Sequence, residues 1–213
     1  MQLTKFTHSC VRLDDGERHL AIDPGMFSEI DAALDGVAAV LITHEHVDHI
    51  DIDRISAALA ADPRLSLYAP AGVAASLAHF ADQVHAVAPG ETFTAAGFEV
   101  QTFGGQHALI HPAIPMVANN AYLIDGSVYH PGDSFTVPPV PVQTVLIPTN
   151  APWSKGSEVI DFAIAMRAPR AFQIHDSLVT PVYSGLIEGH LTRISAPFGV
   201  EFSHLDPAAT VTV

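Results

Sequence analysis

The sequence predicts an α/β fold in which two mixed β-sheets pack face to face with helices on the outside. Three observations carry that expectation. Strand-like runs alternate with segments of helical spacing toward both ends of the chain. A stretch from Val84 to Tyr129 reads as strand after strand with glycine and proline turns. With 213 residues, 48% of them hydrophobic and only 15% charged, the chain can bury a full core without disulfide support. No low-complexity tract, charge block or linker divides it, so one domain over residues 1–213 is expected.

Taken in order, two-residue alternation marks strands at Leu3–Phe6, Cys10–Leu13 and His19–Asp23, the last two joined by Asp14-Asp15-Gly16-Glu17. The apolar run Ala39–Thr43 reads as a buried strand. Ile50–Ala61 follows with Ile52, Ile55, Ala58 and Leu59 at helical spacing. Leu65–Ala69 is a strand, and Pro70 opens a helix through Val73, Leu77 and Phe80. After the β-rich middle come a strand at Thr144–Ile147, a helix at Ser157–Met166, a strand at Arg170–Ile174 and a helix at Val182–Ile194. Gly199–Phe202 and Thr210–Val213 close the chain as strands. This layout suits two sheets with helices on their outer faces.

Composition excludes several classes of function. The net charge of −14, from 9 basic and 23 acidic residues, opposes binding to nucleic acid or an anionic membrane. The longest apolar run, Val37 to Ile42, is far short of a membrane span. Met1-Gln2-Leu3-Thr4-Lys5-Phe6 has no apolar signal-peptide core, so the cytoplasm is the expected location. The single cysteine, Cys10, rules out an intrachain disulfide and a cysteine-based zinc site. A small-molecule substrate is the expected partner, and a homo-oligomer is left open.

The 13 histidines are the unusual feature. Four candidate ligands fall together in Thr43-His44-Glu45-His46-Val47-Asp48-His49, between an apolar strand and a helix. On extended backbone His44 and His46 point to one side. Asp48 and His49, where the helix is expected to start, can face the same point. Imidazole and carboxylate are good ligands for zinc and similar divalent ions. Four residues cannot complete two metal sites, so further ligands are required at other strand ends. His107 follows Gly104-Gly105-Gln106 after the strand Phe98–Phe103. Asp133 lies in His130-Pro131-Gly132-Asp133-Ser134 after Ser127–Tyr129. His175 directly follows Ala171–Ile174.

With these residues in view the chain resembles the metallo-β-lactamase superfamily, and within it small metal-dependent hydrolases similar to the L-ascorbate-phosphate lactonases. The resemblance covers essentially the whole chain. It runs from Thr7-His8-Ser9 and Ile22-Asp23-Pro24 through His44-x-His46-x-Asp48-His49, His107, Tyr129-His130-Pro131-Gly132-Asp133-Ser134 and Ile174-His175. It implies a four-layer αβ/βα sandwich with metals at one edge of the sheets. It assigns His44, His46 and His107 to one ion, Asp48, His49 and His175 to the other, and Asp133 as the bridge. Where small relatives often carry an acidic residue after the Ile147-Pro148 strand, this chain has Thr149-Asn150-Ala151-Pro152-Trp153.

Among the other residues, His111 competes with His107, which sits closer to its strand end. His130 alternates away from Asp133 and suits a supporting role. Asp23 suits either a turn or a hydrogen bond to a ligand histidine. By resemblance His8 lines the cleft. Cys10 reads as core. Trp153 and Lys155 occupy a loop where substrate contacts are common. His19, His79, His85, His190 and His204 show no partner pattern.

The expected function is metal-dependent hydrolysis with two divalent ions, zinc first, manganese or iron as alternatives. A metal-bound hydroxide would attack a small ester or lactone, and catalytic Asp48 would orient the nucleophile or take its proton. Phosphodiester hydrolysis is the alternative within enzymes. A non-hydrolytic metal-binding or regulatory protein is the alternative outside them.

Overall fold

The computed structural model describes residues 1–213. Seven strands form the first sheet: β1 (Gln2–Lys5), β2 (Val11–Asp15), β3 (Arg18–Ile22), β4 (Ala39–Leu41), β5 (Ser66–Ala69), β6 (Val84–Ala86) and the C-terminal β14 (Thr210–Thr212). Their spatial order is β14-β1-β2-β3-β4-β5-β6. From β14 to β3 the pairing is antiparallel, and from β3 to β6 it is parallel. The second sheet contains β7 (Thr92–Ala95), β8 (Phe98–Gly104), β9 (Asn120–Ile124), β10 (Val128–His130), β11 (Thr144–Pro148), β12 (Arg170–Ile174) and β13 (Glu201–Ser203). It repeats the arrangement, antiparallel from β7 to β10 and parallel from β10 to β13.

Side-chain alternation along the central strands creates the layers. In β4, Ala39 and Leu41 enter the core between the sheets, which also holds Leu13, Leu20, Phe98, Tyr122, Leu146 and Phe172. Val40, between them, faces outward against Ile55 and Leu59 of α2 (Ile52–Ala61) and Val73 of α3 (Ala71–Ser76). In β11, Leu146 faces inward while Val145 and Ile147 pack on Phe162 of α4 (Gly156–Met166) and Leu191 of α5 (Pro181–Ser195). Because both faces of these strands are covered, they read as continuous apolar runs. Helix, sheet, sheet and helix make four layers, the expected αβ/βα sandwich.

Three details differ from the sequence expectation. A short helix, α1 (Ile30–Leu34), follows Glu29; five residues are too few to show a helical period. Helix α2 begins at Ile52 behind the N-cap Asp51, whose side chain accepts from the Arg54 N–H, so Asp48 and His49 lie in a turn before the helix. That turn is closed by His49 N–H and Ile50 N–H donating to His46 O. Finally, residues 105–119 are not strand. Gly104 and Gly105 adopt positive φ at the start of this stretch, and Pro112 and Pro115 remove ladder donors within it.

Candidate metal centre

The site lies where the parallel halves of the two sheets end. Asp23 follows β3, the His44–His49 segment follows β4, Asp133 follows β10 and His175 follows β12. His107 arrives from the loop after β8. All seven residues expected as ligands meet there, in two adjoining groups. His44, His46, His107 and Asp133 form one. Asp48, His49 and His175 form the other, joined by His8. Within each group the potential ligand atoms lie within 4.8 Å of one another. Asp133 touches both: Oδ1 is 3.1 Å from His49 Nε2, and Oδ2 is 3.1 Å from His175 Nε2 and 3.3 Å from His107 Nε2.

The outward ring nitrogens set the tautomers. His49 Nδ1–H donates to Asp23 Oδ2 at 2.7 Å. His107 Nδ1–H donates to Ala108 O and His175 Nδ1–H to Asn150 O, both at 2.6 Å. His44 Nδ1–H donates to Thr43 Oγ1 at 3.0 Å, and that hydroxyl in turn donates to Asp23 Oδ2. A neutral imidazole that donates from Nδ1 presents a lone pair at Nε2. In their neutral, ligand-ready form these four rings therefore point Nε2 lone pairs inward. Of the buried polar atoms here, His49 Nε2, His107 Nε2 and Asp133 Oδ1 have no hydrogen-bond partner. Buried polar groups are rarely left so. Nitrogen and oxygen donors, converging and unsatisfied, fit divalent cations.

Residues 2–175 match the family described as the beta-lactamase superfamily domain. The chain belongs to that family. It is 38% identical to Protein Rv0786c of Mycobacterium tuberculosis over the full length of both chains. Its fold is similar to that of Igni18, a metallo hydrolase from Ignicoccus hospitalis (TM-score 0.76, 18% identity, 99% of this chain and 97% of that one). It also resembles CmlA, a diiron β-hydroxylase from Streptomyces venezuelae (TM-score 0.75, 17% identity), with all of this chain matching 54% of that one. The metallo-β-lactamase fold thus recurs with different chemistries, and the site has to be read from its own residues.

In this superfamily member, proton positions in the metal-free chain follow from burial and charge. Burial pushes the His44 and His46 pKa values down, and neighbouring histidines add to the effect. Burial disfavours charge on His175 too, but Asp133 outweighs it and raises the pKa to about 9. His49 is likewise raised, against burial, by Asp133 and Asp23. Burial acts to raise Asp48 and Asp133, yet both are held well below the carboxylate range. Hydrogen bonds from His175 and His8 do this for Asp48, and the charges of His49 and His175 for Asp133. Protons on His49 and His175 therefore balance charge that a dication would balance instead.

The remaining sequence candidates separate clearly. His111 is exposed and stays out of the cluster, its Nδ1 accepting from Ala113 N–H. His130 is buried beneath it. Its Nε2–H donates to Ser9 O, and its Nδ1 accepts from Gly132 N–H. Asp23 takes the supporting role, accepting from Thr43 N–H and Oγ1–H as well as His49. Trp153 Nε1–H donates to Asp133 Oδ2 at 2.9 Å. Lys155 faces solvent beside Glu158, and Cys10 is buried.

His8 has the more specific geometry that its sequence position does not show. It adopts φ +67, and its Nε2 lies 3.1 Å from Asp48 Oδ2. An ionised carboxylate only accepts, so this nitrogen carries the proton; Ser177 Oγ–H then donates to Nδ1 at 2.8 Å. His8 therefore orients Asp48. Asn119 does similar work for Asp133, accepting from its backbone N–H at 2.9 Å and donating to Pro131 O. A lone asparagine directly before β9 carries no motif that would reveal this.

Proposed function

We propose that the chain is a dinuclear metal-dependent hydrolase acting on a small ester or lactone. Zinc is the first candidate ion; manganese and iron suit the same donors. The observation that carries this reading is the pair of histidine–carboxylate groups meeting at Asp133, with His49 Nε2, His107 Nε2 and Asp133 Oδ1 otherwise unsatisfied.

His44, His46 and His107 would hold one ion, Asp48, His49 and His175 the other, with Asp133 between them. Bound divalent ions would supply Lewis acidity, polarising a carbonyl and lowering the pKa of water. The chain's own residues supply orientation and proton handling. Asp48 is partly open to solvent, with 19% of its side chain exposed, while the histidines around it are buried. Its Oδ2, steadied by His8 Nε2–H, is placed to orient an incoming water and accept its proton. Half-buried His46 lies on the open side of the other group. Substrate would enter along that side, and Trp153 Nε1–H would restrain Asp133 during turnover.

Metal-loaded protein assayed against small esters, lactones and phosphodiesters tests the proposal. Hydrolysis of an ester or lactone that chelator abolishes and metal restores is the expected result. Turnover confined to phosphodiesters would overturn the substrate assignment, and no turnover at full metal content would overturn the hydrolase reading.

A further inference from the structure

Of the nine lysines and arginines, only Lys5 is buried. Its Nζ donates to Phe6 O at 2.9 Å and lies 3.1 Å and 3.0 Å from the two carboxylate oxygens of Asp176. An ammonium loses its hydration on burial, and an apolar side chain of similar length would fill the space without that loss. Packing alone gives no reason for a lysine here. The place of Asp176 in the chain gives one.

Asp176 directly follows His175, which leaves β12 at φ +56. A residue other than glycine keeps that left-handed backbone only where its surroundings impose it. His175 belongs to the second sheet, whereas Asp48 and His49 of the same metal group come from the loop after β4 in the first. The group is therefore assembled across both sheets, and its geometry depends on where the His175 turn stands relative to the first sheet. His175 N–H donates to His8 O at 3.2 Å across that gap, and Ser177 Oγ–H to His8 Nδ1 at 2.8 Å. Lys5, at the end of β1, adds a charged contact from a fixed backbone. Its own N–H donates to Ala209 O, and its carbonyl accepts from Ala208 N–H.

Building on the dinuclear reading, we propose that Lys5 is a positioning residue for the second ion, the one assigned to Asp48, His49 and His175. Through Asp176 it pins the turn of residues 175–176, and with it the His175 ring, opposite the two ligands of the first sheet. The bond from His175 Nδ1 to Asn150 O sets the rotation of the ring from within the second sheet. Lys5 sets where the turn stands.

Three variants of the full chain test this: Lys5→Met, Asp176→Asn, and Lys5→Met/Asp176→Leu, which removes both charges and leaves neither unpaired. Thermal unfolding and hydrogen exchange at the His175 N–H are followed without metal, and zinc titration resolves the two ions. In all three the second ion should bind about 10- to 100-fold more weakly, as when a ligand loses its outer support, with the first ion held as in the parent. Exchange at His175 should be faster. The double variant should unfold closer to the parent than Lys5→Met does, because no charge is left buried alone, yet keep the weak second ion. Second-ion affinity that returns together with stability would overturn the proposal, since the pair would then act through the fold alone. Equal weakening of both ions would overturn it too. Asp176→Asn and the double variant carry the comparison if Lys5→Met does not fold. A parent chain that takes up fewer than two ions would remove the dinuclear reading instead. Faster exchange confined to residues 175–177 would then still support the positioning role, and unchanged exchange would overturn it.

Discussion

Asp23 Oδ2 accepts a 2.7 Å hydrogen bond from His49 Nδ1, and neither side chain reaches solvent. The same carboxylate accepts from Thr43 N–H and Thr43 Oγ1–H. One side chain at the end of β3 thus fixes the direction of the His49 ring and the exit of the chain from β4. Such a partner also makes the ligating nitrogen more basic.

Asp23→Asn keeps the volume but removes the charge and one acceptor. Metal affinity at the His49 position should fall by about 10- to 100-fold, the usual effect of losing a carboxylate behind a ligating histidine. Metal titration of the variant checks this. Parent-like affinity would show that Asp23 serves only the turn.

The contacts of Asp133 predict an unequal pair of variants. Its two oxygens approach His49, His107 and His175, which between them belong to both groups, whereas His175 falls in one group only. Asp133→Ala should lower occupancy of both positions, and His175→Ala mainly of one. Elemental analysis after purification without chelator decides. Full metal content in Asp133→Ala would end its assignment as a bridge.

His107 and His111 divide in the same experiment. His107 is buried with an unsatisfied Nε2, while His111 is exposed and bonded within its own turn. His107→Ala should lose an ion and most activity; His111→Ala should keep both ions. The reverse result would move the ligand four residues along the loop.

Much of this centre was legible because its chemistry is compressed into few residues. The His44–His49 motif announces itself, and its demand for partners at strand ends led to His107, Asp133 and His175. The strands β4, β11 and β12 were equally visible, since burial on both faces makes each an apolar run. Asp23 showed an aspartate before Pro-Gly, a pattern that turns and supporting hydrogen bonds share. For His8 only the family resemblance suggested a place in the cleft. Its role depends on a left-handed backbone and on Asp48 and Ser177, forty and 169 positions away. The strand-rich reading of Val84 to Tyr129 shows a loop beginning at Gly104-Gly105 but not that it extends to residue 119. The course of that loop is set by pairing between its own limbs and by Asp133, contacts that no local pattern encodes.

Metal uptake should depend on pH with a definite sign. In the metal-free chain the His175 pKa is raised to about 9, from an ordinary 6.5. Its proton stabilises the metal-free fold fully below about pH 6.5, and that contribution is lost as pH rises through about 9. Ligation needs the neutral ring, so metal affinity should climb across the same window, with protons released on binding. Calorimetric titration at pH 7.5 in two buffers of different ionisation enthalpy measures that release. Equal heats in both buffers would mean that no proton leaves, and that His175 is neutral before metal arrives.

The backbone beneath the motif supplies a test that touches no ligand side chain. A Cβ built on Gly25 would lie 2.0 Å from Asp48 O and 2.5 Å from His49 N. Those atoms are backbone, so no rotamer change relieves the clash, and the turn that presents Asp48 and His49 would have to move. Ligand positions tolerate shifts of only about half an ångström. Gly25→Ala should therefore weaken metal binding in the group containing Asp48 and His49 more than in the group containing His44. Gly185, exposed on α5, has nothing within 4 Å of a built Cβ and no positive φ. Gly185→Ala should keep parent metal content and gain up to about 1 kcal/mol from helix propensity. Metal stoichiometry and thermal unfolding of the two variants separate the effects. If Gly25→Ala binds metal as the parent does, the turn has slack and close packing on Gly25 does not set the positions of Asp48 and His49.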